Sequence, residues 1–268
     1  GPSVIPFPQV PDIRRSRPHR VPGALGTALL QSASADSPST WGLLLPICSR
    51  GKAAGEEQCW ADLLRFRDTL LHTVAAEDRA QMRVIVGIDM SDVVYDTKES
   101  KARLEREFAG LGGTEIQMFP PAYRGKLCWI WDALALTAVE DLGADYFVLL
   151  GDDIEMLTPG WNREIERQFA SIAADTNMPH GLACVAFRDL AFPVFPTFPV
   201  MHRRHMDVFG RLFPRDLVNQ HGDPYLFEIY RRYGASLFAP TAQLRNKVGG
   251  LDKARYVKQS VAWRDELL

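Results

Sequence analysis

Ala144-Asp145-Tyr146-Phe147-Val148-Leu149-Leu150-Gly151-Asp152-Asp153-Ile154-Glu155 is the stretch that decides the fold. Its apolar run, Tyr146 to Leu150, predicts a strand buried on both faces. Three acids then follow within four positions. In an open α/β sheet that strand end is where ligands bind. Converging carboxylates repel one another unless a cation neutralises them, and hard oxygen ligands suit Mg²⁺ or Mn²⁺, ions that in turn hold phosphates. The plainer alternative is a strand followed by an acidic turn and a helix cap, and a short motif does not separate the two.

Strands and helices alternate outward from this stretch. Gly42 to Cys48 predicts a buried first strand, with Ser49-Arg50-Gly51 as a polar turn after it. Residues 58–76 carry Leu63, Leu64, Phe66, Leu70, Leu71 and Val74 at helical spacing. Met82 to Ile88 is a second strand ending at Asp89, and an acid in that place commonly accepts hydrogen bonds from a ribose or base. As a plain turn, Asp89 would cap the loop, the role expected of Asp92 and Asp96. A charged helix spans 98–108 and a short strand 115–119. Tyr123-Arg124-Gly125-Lys126 forms a basic loop, and a helix runs from about Leu127 to Leu142. After the acids comes a helix over 162–174. This alternation predicts a mostly parallel sheet.

The second half is less regular. Leu182 to Phe187 reads as a strand. Ala191 to Val200, with three prolines and three phenylalanines, reads as a loop or edge strand. A polar loop over 214–223, a helix over 225–233 and a short strand ending at Phe238 precede a tail with Gly249-Gly250 and Arg255-Tyr256. Residues 1–40, rich in Pro, Ser and Arg, read as a stem or linker, leaving 41–268 as one domain. Its halves divide near residue 160.

The composition is that of a globular chain, and the net charge of −2 argues against bulk nucleic-acid binding. No apolar stretch approaches the roughly 20 residues of a membrane span. Gly1-Pro2 reads as a protease scar, so a native membrane anchor upstream is compatible with the sequence. Cys48, Cys59, Cys128 and Cys184 lack zinc-ligand spacing, and Cys48 and Cys128 read as packed thiols.

The order of these motifs resembles the GT-A fold of nucleotide-sugar glycosyltransferases, over about Trp41 to Tyr256. That fold is α/β, a Rossmann-like, mostly parallel sheet with helices on both faces and a smaller acceptor-side subregion. Leu43-Leu44-Leu45-Pro46-Ile47-Cys48-Ser49-Arg50 looks like the strand leading to the base pocket. Gly87-Ile88-Asp89 is similar to the strand bearing a nucleotide-contacting acid. Gly151-Asp152-Asp153-Ile154-Glu155 resembles the acidic DXD motif of enzymes similar to N-acetylglucosaminyltransferase I. Asn219-Gln220-His221-Gly222-Asp223 resembles their later acidic segment. The chain departs from that pattern at Gly151, where the family has an acid, and at Pro224 and Tyr225, where it has Asp and Trp.

The resemblance implies a transferase moving a hexosyl or N-acetylhexosaminyl group from a nucleotide-diphosphate sugar, UDP favoured, to an acceptor hydroxyl with inversion. The acceptor would be a glycan, a glycoprotein or a small molecule, and the setting a Golgi or secretory lumen, with the cytoplasm open. Mn²⁺ or Mg²⁺ would be held by Asp153 and Asp152, with His205 completing the shell, while Asp152, Ser49, Arg50, Asp89 and Lys126 would contact the nucleotide. Asp223 would be the base that takes the acceptor's proton, although Asp before Pro is equally a helix-capping signal. His205 is alternatively a structurally bonded histidine. Two other functions fit: a sugar-nucleotide nucleotidyltransferase, for which Ser49-Arg50-Gly51-Lys52 is a faint version of the usual loop, and a non-catalytic binding module.

Overall fold

The computed structural model describes residues 38–52, 54–219, 221–247 and 255–257. The basic cluster of the stem and Gly249-Gly250 lie outside the described residues. The compact unit containing the sheet starts at Pro38.

Eight strands form one sheet: β1 (Trp41–Ile47), β2 (Met82–Asp89), β3 (Gly113–Phe119), β4 (Tyr146–Leu149), β5 (Ile154–Met156), β6 (Cys184–Asp189), β7 (Pro199–His202) and β8 (Ser236–Asn246). The helices are α1 (Gly55–Thr73), α2 (Lys98–Glu107), α3 (Leu127–Leu136), α4 (Trp161–Thr176), α5 (Arg203–Phe209) and α6 (Gly222–Arg231). Spatial order is β3-β2-β1-β4-β7-β6-β8-β5.

The first four strands are mutually parallel. Leu43, Leu44 and Leu45 of β1 and Phe147, Val148 and Leu149 of β4 are fully buried, because helices cover both faces. The π-type turn Thr137–Asp141 that extends α3 packs so closely that a β-carbon on Gly42 would lie 2.8 Å from that of Ala138. Parallel strands place their C-terminal ends on one edge. Ser49–Lys52, Asp89–Asp92 and Gly151–Asp153 therefore emerge side by side.

Three expectations are corrected in the second half. The segment ending in Val200 is no edge: its last residues enter β7, antiparallel to both β4 and β6 in the middle of the sheet. The acidic turn contains a strand, β5, which pairs with β8. The strand expected to stop at Phe238 runs on to Asn246, because its later residues pair with Arg188, Asp189 and β5. Alternation alone does not register these pairings, since their partners lie far away in sequence.

Candidate functional site

β4 delivers Asp152 and Asp153 into the interior, where Asp152 is fully buried. A buried carboxylate needs a partner. Both acids find the same one: Arg255 reaches Asp152 Oδ1 at 2.7 Å through Nη2 and Asp153 Oδ2 at 3.0 Å through Nη1. Lys52, its side chain sealed from solvent, adds an ammonium 3.3 Å from Asp152 Oδ2 and 2.7 Å from Asp62 Oδ2. Arg65 closes the cluster on Asp62 Oδ1 at 2.5 Å. Three carboxylates thus face three cations. Burial is the largest single effect on Lys52 and Arg255 and works against their charge, but the groups around them, Asp152 foremost, together outweigh it and hold both above their ordinary pKa. Removing one partner of such a buried pair typically costs about 3–5 kcal/mol.

The backbone is fixed to match. Lys247 donates its amide to the Asp153 carbonyl at 2.8 Å. A β-carbon on residue 151 would sit 2.9 Å from Asp153 Oδ1 and 3.6 Å from the Phe198 ring. Glycine suits position 151 for a steric reason: the Asp153 carboxylate lies over it. Phe198 itself holds φ +52, strained for a residue with a β-carbon. Glu155 turns away from the pair, facing Lys247 at 3.3 Å, Arg65 at 3.5 Å and Arg245 at 3.6 Å.

Beside this cluster a narrow cleft of about 30 Å³, open to solvent, is lined by Pro46, Ile47, Cys48, Arg50, Asp89, Gly125, Leu127, Ile130, Arg255 and Tyr256. Arg50 pairs with Asp89 Oδ2, leaving Asp89 Oδ1 buried with no hydrogen-bond partner. Arg255 Nε is a buried donor in the same condition. The 255–257 segment crosses the basic loop: Val257 donates its amide to the Gly125 carbonyl at 2.9 Å. Gly125 has φ +72 and room only for hydrogen, since a β-carbon would meet Val257 N at 3.0 Å.

The other predicted contacts divide. Ser49 donates its amide to Asp92 Oδ2 at 2.8 Å, and Asp92 Oδ1 receives the amides of Val94 and Tyr95, so Asp92 braces the loop as expected. Lys126 places its ammonium 4.0 Å over the Trp129 ring.

Asp223 arrives by a route the sequence does not announce. The loop after α5 climbs along α3: Leu212 donates to Asp132 Oδ1, Trp129 to the Arg215 carbonyl, and Cys128 to the Asn219 carbonyl. Gly222 packs against Cys128 and Phe213. This brings Asp223 beside the start of α3, whose Leu127 lines the cleft. The capping alternative fails, because α6 begins at Gly222 after His221 and no side chain caps it. Asp223 Oδ1 is buried without a partner, and burial pushes the carboxyl up to about 7.

His205 does not join the acids. β7 runs antiparallel to β4, and His202 pairs with Tyr146 at the start of β4. At about 3.3 Å per residue that is about 13 Å from Leu150, and α5 begins there. His205 instead bonds Tyr230 through Nδ1 at 2.9 Å, and burial lowers it to about 4. It lines a second cleft with Phe209, Phe213 and Tyr225. His202 packs against Tyr146, Phe169 and His180 and accepts the Arg204 amide.

The donor set therefore does not fit the expected Mn²⁺ or Mg²⁺. Asp152 and Asp153 are held by a guanidinium and an ammonium, and the third ligand is elsewhere. Among the described residues no three His, Cys, Asp or Glu side chains gather as a metal shell. The four cysteines are buried free thiols.

No protein-family model matches the chain, and no curated protein does. Solved structures are similar in fold. TarS of S. aureus aligns with 80% of this chain at 11% identity and a TM-score of 0.46; the chain spans only 38% of TarS. A Bacillus anthracis protein described as a glucose-1-phosphate thymidylyltransferase aligns over 83% of this chain and 97% of its own, at 9% identity and a TM-score of 0.45. Mouse xyloside xylosyltransferase 1 aligns over 74% and 76%, at 10% identity and a TM-score of 0.34. What this chain shares with them is a mostly parallel α/β sheet flanked by helices.

Lys52, Asp62 and Arg255 are the site residues that sequence reasoning missed. Lys52 lay in plain view in the polar turn, but nothing local tells a surface lysine from one buried between Asp62 of α1 and Asp152. Arg255 follows Asp153 by 102 positions, and the sequence holds no local signal for that pairing.

Proposed function

We propose that this chain is a glycosyltransferase that uses a nucleoside-diphosphate sugar, UDP favoured, and inverts the anomeric centre. One observation carries it. A buried acceptor, Asp89 Oδ1, and a buried donor, Arg255 Nε, both lack partners and line one cleft at the C-terminal edge of the parallel strands. A nucleotide supplies both complements. Its base lies against Ile47, Leu127, Ile130 and Tyr256, a ribose hydroxyl or base N–H donates to Asp89, and phosphate oxygens accept from Arg255 and Arg50.

Asp223 suits the second half of the reaction. A carboxyl near pKa 7 with no cation beside it takes up a proton readily at neutral pH. The acceptor oxygen bonds to the anomeric carbon as its proton passes to Asp223. The bond from that carbon to the diphosphate oxygen breaks, and its electron pair leaves with the nucleotide. The acceptor class, and a Golgi or secretory-lumen setting, belong to the same proposal through the family resemblance. Among the described residues no helix is long and apolar enough to cross a membrane.

The test is release of free nucleotide from a panel of UDP- and GDP-sugars, with Asp223→Asn as control. Turnover lost in that variant supports the transferase. Pyrophosphate-dependent exchange would instead make the chain a nucleotidyltransferase, although Lys52 is already engaged by Asp62 and Asp152. Nucleotide binding with no turnover would make it a binding module.

A further inference from the structure

We infer that Arg255, seated by Asp152 and Asp153 and backed by Lys52, is the cation that meets the donor's diphosphate, and that the acidic pair serves this arginine and not a divalent ion. The inference rests on the transferase reading and concerns the same cleft.

Four observations converge. The guanidinium bridges the two carboxylates of the acidic motif, 2.7 Å from one and 3.0 Å from the other, so the motif's oxygens already face a positive charge. Lys52 faces the other oxygen of Asp152, Oδ2, at 3.3 Å, an ion pair without a hydrogen bond. Arg65, shared between Asp62 and Glu155, extends the network. A divalent ion entering it would have to evict a buried guanidinium from both its partners. Finally, Arg255 is 5% exposed and keeps one buried donor, Nε, unused at the wall of the cleft. Two N–H groups seat the arginine, and a third is left for a ligand oxygen.

The consequence is a different division of labour. Asp152 and Asp153 are positioning residues: they hold a planar, permanently charged group in one orientation. Arg255 is the residue that touches the leaving diphosphate and steadies the charge that grows there as the glycosidic bond breaks. Arg50, partly exposed and paired with Asp89, supports it from the other side: its Nη2 lies 3.4 Å from the Arg255 carbonyl.

The experiment measures binding of UDP and of GDP by calorimetry, in EDTA and in Mn²⁺, to the full chain and to Arg255→Gln and Arg255→Lys. The expected result is one nucleotide bound with a Kd that agrees within about twofold in EDTA and Mn²⁺. Arg255→Gln should weaken it about tenfold or more in EDTA, with Arg255→Lys in between. Binding of the unmodified chain only in Mn²⁺ would overturn the inference and leave the transferase reading standing. Binding that ignores Arg255→Gln would overturn it also. If neither UDP nor GDP bound in EDTA or in Mn²⁺, both readings would fall. The EDTA and Mn²⁺ comparison needs no variant, so it decides the matter even if Arg255→Gln does not fold.

Discussion

The two acidic sites of this chain are built in opposite ways. At the end of β4, Asp152 and Asp153 are buried with cations at 2.7–3.3 Å. At the start of α6, Asp223 presents a buried oxygen that nothing meets. The first arrangement fixes charge and geometry together, and Arg255 and Lys52 remain ionised because the carboxylates hold them so. The second leaves a carboxyl balanced between its two forms near neutrality. A paired acid is suited to holding something in place, an unpaired one to exchanging a proton.

The largest expected break falls on the unpaired site. Asp223→Asn should lower the transfer rate by about 10²–10⁴-fold while nucleotide binding, read by calorimetry, persists. In the unmodified chain the rate should rise with pH through about 7 as the carboxylate forms; the variant should lose that rise. Urea melts carry the matching signature. Between about pH 4 and 7 the folded chain keeps a proton on Asp223 that the unfolded chain releases, so this group's stabilising contribution falls as pH rises. His205 acts in the opposite sense: the fold excludes a proton that the unfolded chain binds between about pH 4 and 6.5, so stability there rises with pH. Asp223→Asn should remove the falling component and leave the rise that His205 shares with His202, which burial lowers to about 3.

Next comes the paired site. Lys52→Met leaves Asp152 and Asp62 one cation short inside the protein and should cost about 3–5 kcal/mol in denaturant unfolding. If the loss were near zero, the pairing of Lys52 with Asp62 and Asp152 would be wrong. Gly151→Ala should cost less, about 1–3 kcal/mol, because its β-carbon at 2.9 Å pushes on an Asp153 carboxylate that Arg255 restrains; nucleotide affinity should fall with it. The smallest effect belongs to Tyr230→Phe, which removes the hydroxyl from His205 Nδ1. It should cost about 1 kcal/mol by thermal unfolding and leave nucleotide affinity unchanged, as befits a histidine remote from the acids.

Much of the fold was legible because its signals are local. A five-residue apolar run must be buried, and acids after it must surface at a strand end. Apolar spacing marked α1 and α4 to within a few residues. Gly87-Ile88-Asp89 delivered its acid to the cleft wall for the same reason. The second half resisted because Pro199 in a central strand contradicts the usual rule, and β8 owes its length to β5 and β6, neither adjacent in sequence.

By itself the sequence determined that a mostly parallel α/β sheet exists and that acids gather where β4 ends, since burial and periodicity are properties of neighbouring residues. Only the tertiary structure decided what those acids meet. Arg255 reaches them across 102 positions and Lys52 from the turn after β1, while β7, turned antiparallel, carries His205 away. Charge pairing in an interior depends on distance in space, and the linear order of the chain does not contain that distance.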